Sequence, residues 1–356
     1  MRKPSILLTH KRIEAEQSLY FDMWRGGSAI VVLLGHIVPL YFHGERIFAA
    51  LAGGAVAAFF GLSGFFIHKS LTKGSETGRF DWLSFAAGRF DRIVPPFVLA
   101  LAVTILCWLI APWVFASGSR AYLHPSVRDS ISLDGLWETA ALLNGFVAPT
   151  VSANGALWSL SFEVWLYVCA GFLVAFLTGR KMAIAGLAIF PLLAFLNPLF
   201  GLWSAIWLAG AAVSICHANG RLGLFRPRIL RLTALLPLAA LALVVAIPRR
   251  YSYGATLIFE FAFGAWFIVH MGRALLSRKL PRWRALERAA GYSYTLYVIH
   301  FPLLLLAYGT WESPWGAPFA GLAILALAGA IGPRIEAVKP LRFLRSSAAR
   351  VSIVRS

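Results

Sequence analysis

Trp24-Arg25-Gly26-Gly27-Ser28-Ala29-Ile30-Val31-Val32-Leu33-Leu34-Gly35-His36-Ile37-Val38-Pro39-Leu40-Tyr41-Phe42 is a run of nineteen residues with one full charge, at its start, and one histidine in its middle. A helix rises about 1.5 Å per residue and the hydrocarbon core of a bilayer is about 30 Å thick, so a run of this length crosses a membrane. Similar runs recur outward from it, at 47–67, 93–116, 156–177, 182–197, 199–216, 229–247, 252–272, 290–309 and 315–333. The reading is an all-α integral membrane protein of about ten transmembrane helices with both termini cytoplasmic. Residues 1–19 form an N-terminal tail, 20–334 the membrane domain and 335–356 a basic C-terminal tail.

Charge placement tests this layout. The net charge is +18, only 13% of residues are charged, 59% are hydrophobic and the mean hydropathy is +0.72. If the N-terminus is cytoplasmic, only Arg46, Arg120, Arg128, Arg249 and Arg250 of the 33 lysines and arginines fall outside. Such a bias marks cytoplasmic connections and argues against nucleic acid as the reason for the charge. Cys107, Cys169 and Cys216 all lie in apolar runs without metal or pairing spacing. Residues 117–155 form one long outside segment containing Arg128, Asp129, Asp134, Glu138, Asn144 and Asn154, of which 133–147 fits an interfacial helix.

Ionisable groups inside spans are costly and point to function. His36, Glu163, Glu260 and His300 sit at mid-depth. Arg25 and His36 are eleven residues apart, which puts them on one helix face about 16 Å apart. A neutral imidazole can take and return a proton near neutral pH; a buried histidine bonded to a neighbouring helix is the plainer alternative. Glu163 counts to about 10 Å from the outer face, where it would orient a histidine, bind an acceptor hydroxyl, or stay protonated and structural. His300 counts to about 15 Å from the cytosol, and Pro302 just after it frees a backbone carbonyl. Glu260 lies in no motif and ranks lower.

Other stretches concern a ligand. Gly61, Ser63 and Gly64 allow close helix approach, either for packing or to open a path near the cytosol. Arg89 and Arg92, three apart, share a helix face and can grip phosphate. Arg25 belongs to the same membrane edge.

Together these stretches resemble the bacterial integral-membrane acyltransferase family 3. The matching pieces are Asp22-x-x-Arg25 with R-x10-H ending at His36, Phe59-Phe60-x-Leu62-Ser63-Gly64-Phe65, and R-x-x-R at Arg89 and Arg92 before Pro95. They continue with W-S-L-S-x-E-x-W-x-Y from Trp158 to Tyr167 and S-Y-x-L-Y-x-x-H-x-P from Ser293 to Pro302. The resemblance implies about ten helices in the bacterial plasma membrane. It implies acyl-CoA, acetyl-CoA by default, as co-substrate with no bound cofactor or metal, and a carbohydrate or cell-surface glycan hydroxyl, or a small molecule, as acceptor. It assigns the base to His36 and the acyl-CoA contacts to Arg89 and Arg92. Many members carry a further extracytoplasmic esterase-like domain, for which this chain has only a short tail.

On this reading Arg25, Arg89 and Arg92 hold the nucleotide end, and the pantetheine arm passes Ser63 and Gly64. His36 deprotonates an acceptor that enters near Glu163, Trp158 and Tyr167, with Glu163 or His300 setting the imidazole. Two rivals remain open: a proton-coupled transporter or flippase, against which no inverted repeat is visible, and a metalloenzyme using His36, His300 and Glu163, which lacks a ligand spacing such as H-E-x-x-H.

Overall fold

The computed structural model describes residues 6–43, 46–73, 81–121, 131–248 and 252–341. Arg2, Lys3, Arg79, Arg128, Asp129, Arg249, Arg250 and the basic residues after Leu341 lie outside the described residues.

Apolar length dictates the elements. The long helices are α1 (Ala15–Phe42), α2 (Arg46–Thr72), α3 (Trp82–Val114) and, after the short α4 (Leu136–Ala140), α5 (Trp158–Leu177). The short α6 (Ile184–Leu187) and α7 (Ile189–Leu196) precede α8 (Pro198–Ala218), α9 (Pro227–Ala246) and α10 (Ser252–Ala274). The small α11 (Arg284–Ala289) leads into α12 (Ser293–Thr310) and α13 (Gly316–Ala337). Among the described residues the one β feature is an isolated bridge between Asn144 and Ala148. Among the described residues eight helices are long and apolar enough to cross a membrane, and large apolar side chains stand on the outside of the bundle, Trp113 being 88% and Phe195 83% exposed. A water-facing surface would not display them so; lipid would.

Two expected spans differ in form. The 182–197 run is shorter than expected: α6 and α7 meet at Ala188, whose backbone stays helical, and the stretch stops at Asn197, whose side chain caps α8 by accepting from Leu199 N at 2.9 Å. Neither piece is long enough to cross by itself. The run at 290–309 becomes α12, eighteen residues diluted by Ser, Tyr, Thr and His and held at the centre of the bundle.

Packing rather than amphipathicity orders the bundle. Helix α2 packs on α1, α8 and α10, while α12 packs on α1, α3 and α13. Small residues let backbones close in. A Cβ on Gly64 would lie 1.8 Å from Trp207 O of α8, and one on Gly210 would lie 2.0 Å from Gly61 O. The 131–157 segment is not an interfacial helix over 133–147, since only α4 is helical there and the chain then folds inward. Thr139, Asn144, Val151 and Asn154 of this segment are fully buried. It ends in a 3-10 turn, Ser152–Leu157, that runs directly into α5.

Candidate active site

Five helices enclose a cavity of about 240 Å³, with walls from α1, α2, α3, α5 and α12. Arg25, Arg89 and Arg92 all reach it, as do Ser63, Glu163, Tyr167 and Tyr294. Helical spacing brings Arg89 and Arg92 to one side, and α1 supplies Arg25 from another. Arg25 pairs with Asp22 at 2.9 Å and lies 4.6 Å over the Phe66 ring. On the opposite wall the hydrogen bonds run one way. Trp207 Nε1 donates to Ser63 Oγ at 3.2 Å, and Ser63 Oγ lies 3.2 Å from Tyr167 OH. Tyr167 OH donates to Glu163 Oε1, so its lone pair receives the Ser63 hydroxyl. Three arginines against Glu163 and the Asp22 carboxylate paired with Arg25 leave the chamber cationic. Arg89 Nε and Tyr294 OH are buried there without a hydrogen-bond partner among the described residues. Buried donors left open are rare and mark places where a ligand acceptor fits.

A histidine pair lies beyond the inner wall. His300 Nδ1 is 2.8 Å from Tyr297 O, and His36 Nδ1 is 2.8 Å from Val32 O. Carbonyl oxygens only accept, so in the neutral pair both Nδ1 atoms carry the hydrogen. His300 Nε2, 3.3 Å from His36 Nδ1, is then an acceptor for that same N–H. This assignment leaves the lone pair of His36 on Nε2. A proton arriving there creates an imidazolium whose Nδ1–H is shared between Val32 O and the more distant His300 Nε2, and both acceptors stabilise it. Phe301 packs edge-on against His36 with ring centroids 5.2 Å apart. Across α1, Gly35 admits Ala52 of α2 at a distance that a Cβ would close to 2.4 Å.

The sequence marks Asn154 only by its place in the outside segment, yet it holds this region together. Pro302 lacks an N–H, so Val298 O, four residues earlier, has no helical donor. Asn154 Nδ2 donates to Val298 O at 2.9 Å and to Thr104 Oγ1 at 3.1 Å, tying the inward-folded segment to α12 and α3. The freed carbonyl was foreseeable from Pro302; which side chain would answer it was not.

The expected site residues therefore fall into separate groups. Arg25, Arg89, Arg92 and Ser63 meet around the cavity, and His36 meets His300. Glu163 and Tyr167 stand level with the arginines instead of in the outer half, because the outer segment has already descended into the bundle when α5 begins. Gly64 faces α8 and serves helix packing rather than the cavity wall. Trp158 sits in an aromatic cluster with Phe162 and Trp203, at centroid distances of 5.4 and 5.1 Å. Glu260 packs against Gly53, where a Cβ would lie 2.0 Å from its Oε1, apart from both groups. His36, His300 and Glu163 do not converge as one ligand set; among the described residues no three His, Cys, Asp or Glu side chains do.

Comparison with known proteins now bears on this geometry. A family model described as an acyltransferase domain matches residues 18–333, nearly the whole bundle and both groups of residues. The chain belongs to acyltransferase family 3. It is also 31% identical over 176 residues to a protein named O-acetyl transferase from Shigella phage Sf6, a stretch covering 48% of this chain and 50% of that protein. The chain thus spans about half the length of the relative it matches. No solved structure matches it.

Proposed function

We propose that this membrane acyltransferase moves an acyl group, acetyl by default, from cytoplasmic acyl-CoA to a hydroxyl of a carbohydrate or cell-surface glycan. The observation that carries the reading is the convergence of Arg25, Arg89 and Arg92 on one cavity whose inner wall abuts the His36–His300 pair. Coenzyme A carries several phosphate charges, and arginine forks bind phosphate with charge-assisted bonds. The acetyl donor takes support from the name of the phage relative. The arginine-bearing end of the bundle then faces the cytoplasm of a bacterial cell and both termini lie on that side, in keeping with the positive-inside bias.

In this mechanism an alcohol needs a base because it is a poor nucleophile at neutral pH. His36 Nε2 takes the acceptor's hydroxyl proton as the oxygen bonds to the thioester carbonyl carbon. Val32 O holds the ring in that tautomer, and His300 Nε2 is a second acceptor for His36 Nδ1–H that supports the charged ring. The tetrahedral intermediate collapses with loss of the C–S bond, and the leaving thiolate takes the proton back from His36. The products are the ester and free CoA thiol, so atoms and charge balance.

The test is transfer of radiolabelled acetyl from acetyl-CoA in inverted membrane vesicles. Label entering a glycan or lipid-linked fraction and lost in His36→Ala supports the reading. A fully active His36→Ala protein, or proton-driven flux without an acyl donor, overturns it.

A further inference from the structure

The cavity and the histidine pair do not open into each other. The cavity walls include Tyr297, Phe59 and Ser159 but neither His36 nor His300. Tyr297 stands between, with its ring centroid 6.0 Å from that of His300 and 5.7 Å from that of Phe59. Its hydroxyl is fixed from a third direction: Tyr297 OH lies 2.6 Å from Ser159 Oγ and donates to Ala156 O at 3.2 Å. Tyr297 is 8% and Ser159 6% exposed. The phenol is thus clamped onto the junction where the 3-10 turn meets α5, with Phe59 of α2 closing the other side.

We propose that the Tyr297–Phe59 partition sets the size of acyl group this enzyme transfers. The inference rests on the acyl-CoA reading and deepens it. A thioester held by its phosphates at the arginines must bring its carbonyl carbon past these two rings to an oxygen activated by His36. The two rings and the clamped hydroxyl close that route, so a donor must displace them, and a short acyl group needs less displacement than a long chain. The arginines recognise only the CoA end, common to every donor, so they cannot supply this selectivity. Tyr297 therefore selects the acyl group by excluded space, with Ser159 and Ala156 holding it in place. This kind of discrimination is steep, because each methylene a pocket cannot house counts separately.

The experiment compares transfer of label from acetyl-CoA and octanoyl-CoA in inverted native membranes bearing the wild type, Tyr297→Ala, Phe59→Leu and His36→Ala. The wild type is expected to prefer acetyl. In Tyr297→Ala the octanoyl-to-acetyl rate ratio is expected to rise by about tenfold or more, with a smaller rise in Phe59→Leu. Because removing the phenol also removes two hydrogen bonds, Phe59→Leu decides the matter if Tyr297→Ala does not accumulate as folded protein. A ratio unchanged in the folded variants, alongside His36-dependent acetyl transfer by the wild type, overturns the partition and leaves the function standing. Absence of His36-dependent transfer from any acyl-CoA overturns both.

Discussion

Replacing Asn154 by alanine removes the donor that answers the carbonyl left open by Pro302. Asn154 Nδ2 serves Val298 O at 2.9 Å and Thr104 Oγ1 at 3.1 Å, and the side chain is fully buried. Thr104 keeps a partner, because its hydroxyl still donates to Ala100 O at 2.7 Å. Val298 O does not, since residue 302 has no N–H to offer. A buried acceptor stripped of its partner costs about 1–3 kcal/mol. Ordinary interhelical bonds in membranes average only about 0.6 kcal/mol, because the unpacked helices find other partners. Here the open carbonyl persists in the isolated helix too, so the expected loss lies between these figures, at about 1–2 kcal/mol. The assay is reversible unfolding in mixed detergent micelles, run as a double-mutant cycle with Pro302→Ala. An alanine at 302 restores the helical N–H to Val298 O, so Asn154→Ala should cost about 1 kcal/mol less in that background. Equal costs in both backgrounds, or an Asn154→Ala protein as stable as the wild type, would show that Asn154 does not answer the carbonyl left open by Pro302.

Three further predictions follow from the same geometry. Arg89→Ala should raise KM for acyl-CoA by roughly 10- to 100-fold with a smaller change in kcat, since it removes a charge-assisted donor remote from the reacting carbon; an unchanged KM in a vesicle assay would remove Arg89 from the binding site. His300→Ala should lower kcat by roughly 10- to 1000-fold while KM for acyl-CoA stays within about twofold, because it withdraws the second acceptor that steadies the His36 imidazolium; a KM effect alone would contradict that role. Gly64→Val should destabilise the protein by about 1–3 kcal/mol through forced separation of α2 and α8, seen as an earlier unfolding midpoint, and a variant that unfolds like the wild type would show that the contact with Trp207 yields easily.

Much of this fold was legible because transfer of apolar surface accumulates over about twenty residues and cannot be hidden by local detail. The 182–197 run escaped that logic because composition alone cannot register the late start of its helix or the stop at Asn197. The arginines were legible as a group: three-residue spacing put Arg89 and Arg92 on one face, and their shared membrane edge brought in Arg25. The depth of Glu163 was not. Counting residues from the start of an apolar run assumes that the run begins at the membrane surface, whereas Ser152–Leu157 already touches Val298 and Thr104 inside the bundle. Gly61 and Gly64 signalled close approach, and the structure delivers it against α8, a partner that periodicity could not name. Tyr297 was visible only as part of a motif, since its place between cavity and histidines depends on contacts from α2 and α5 at once.

On the proposed function, binding and chemistry occupy separate groups of residues, the arginine cavity and the histidine pair. Equilibrium binding of radiolabelled acetyl-CoA to the purified protein in detergent, measured with acetyl transfer on the same preparations, tests this directly. His36→Gln should bind acetyl-CoA within about twofold of the wild type but transfer nothing, whereas Arg89→Ala should lose binding by about tenfold or more. Loss of binding in His36→Gln, or full binding in the Arg89→Ala protein, would contradict it.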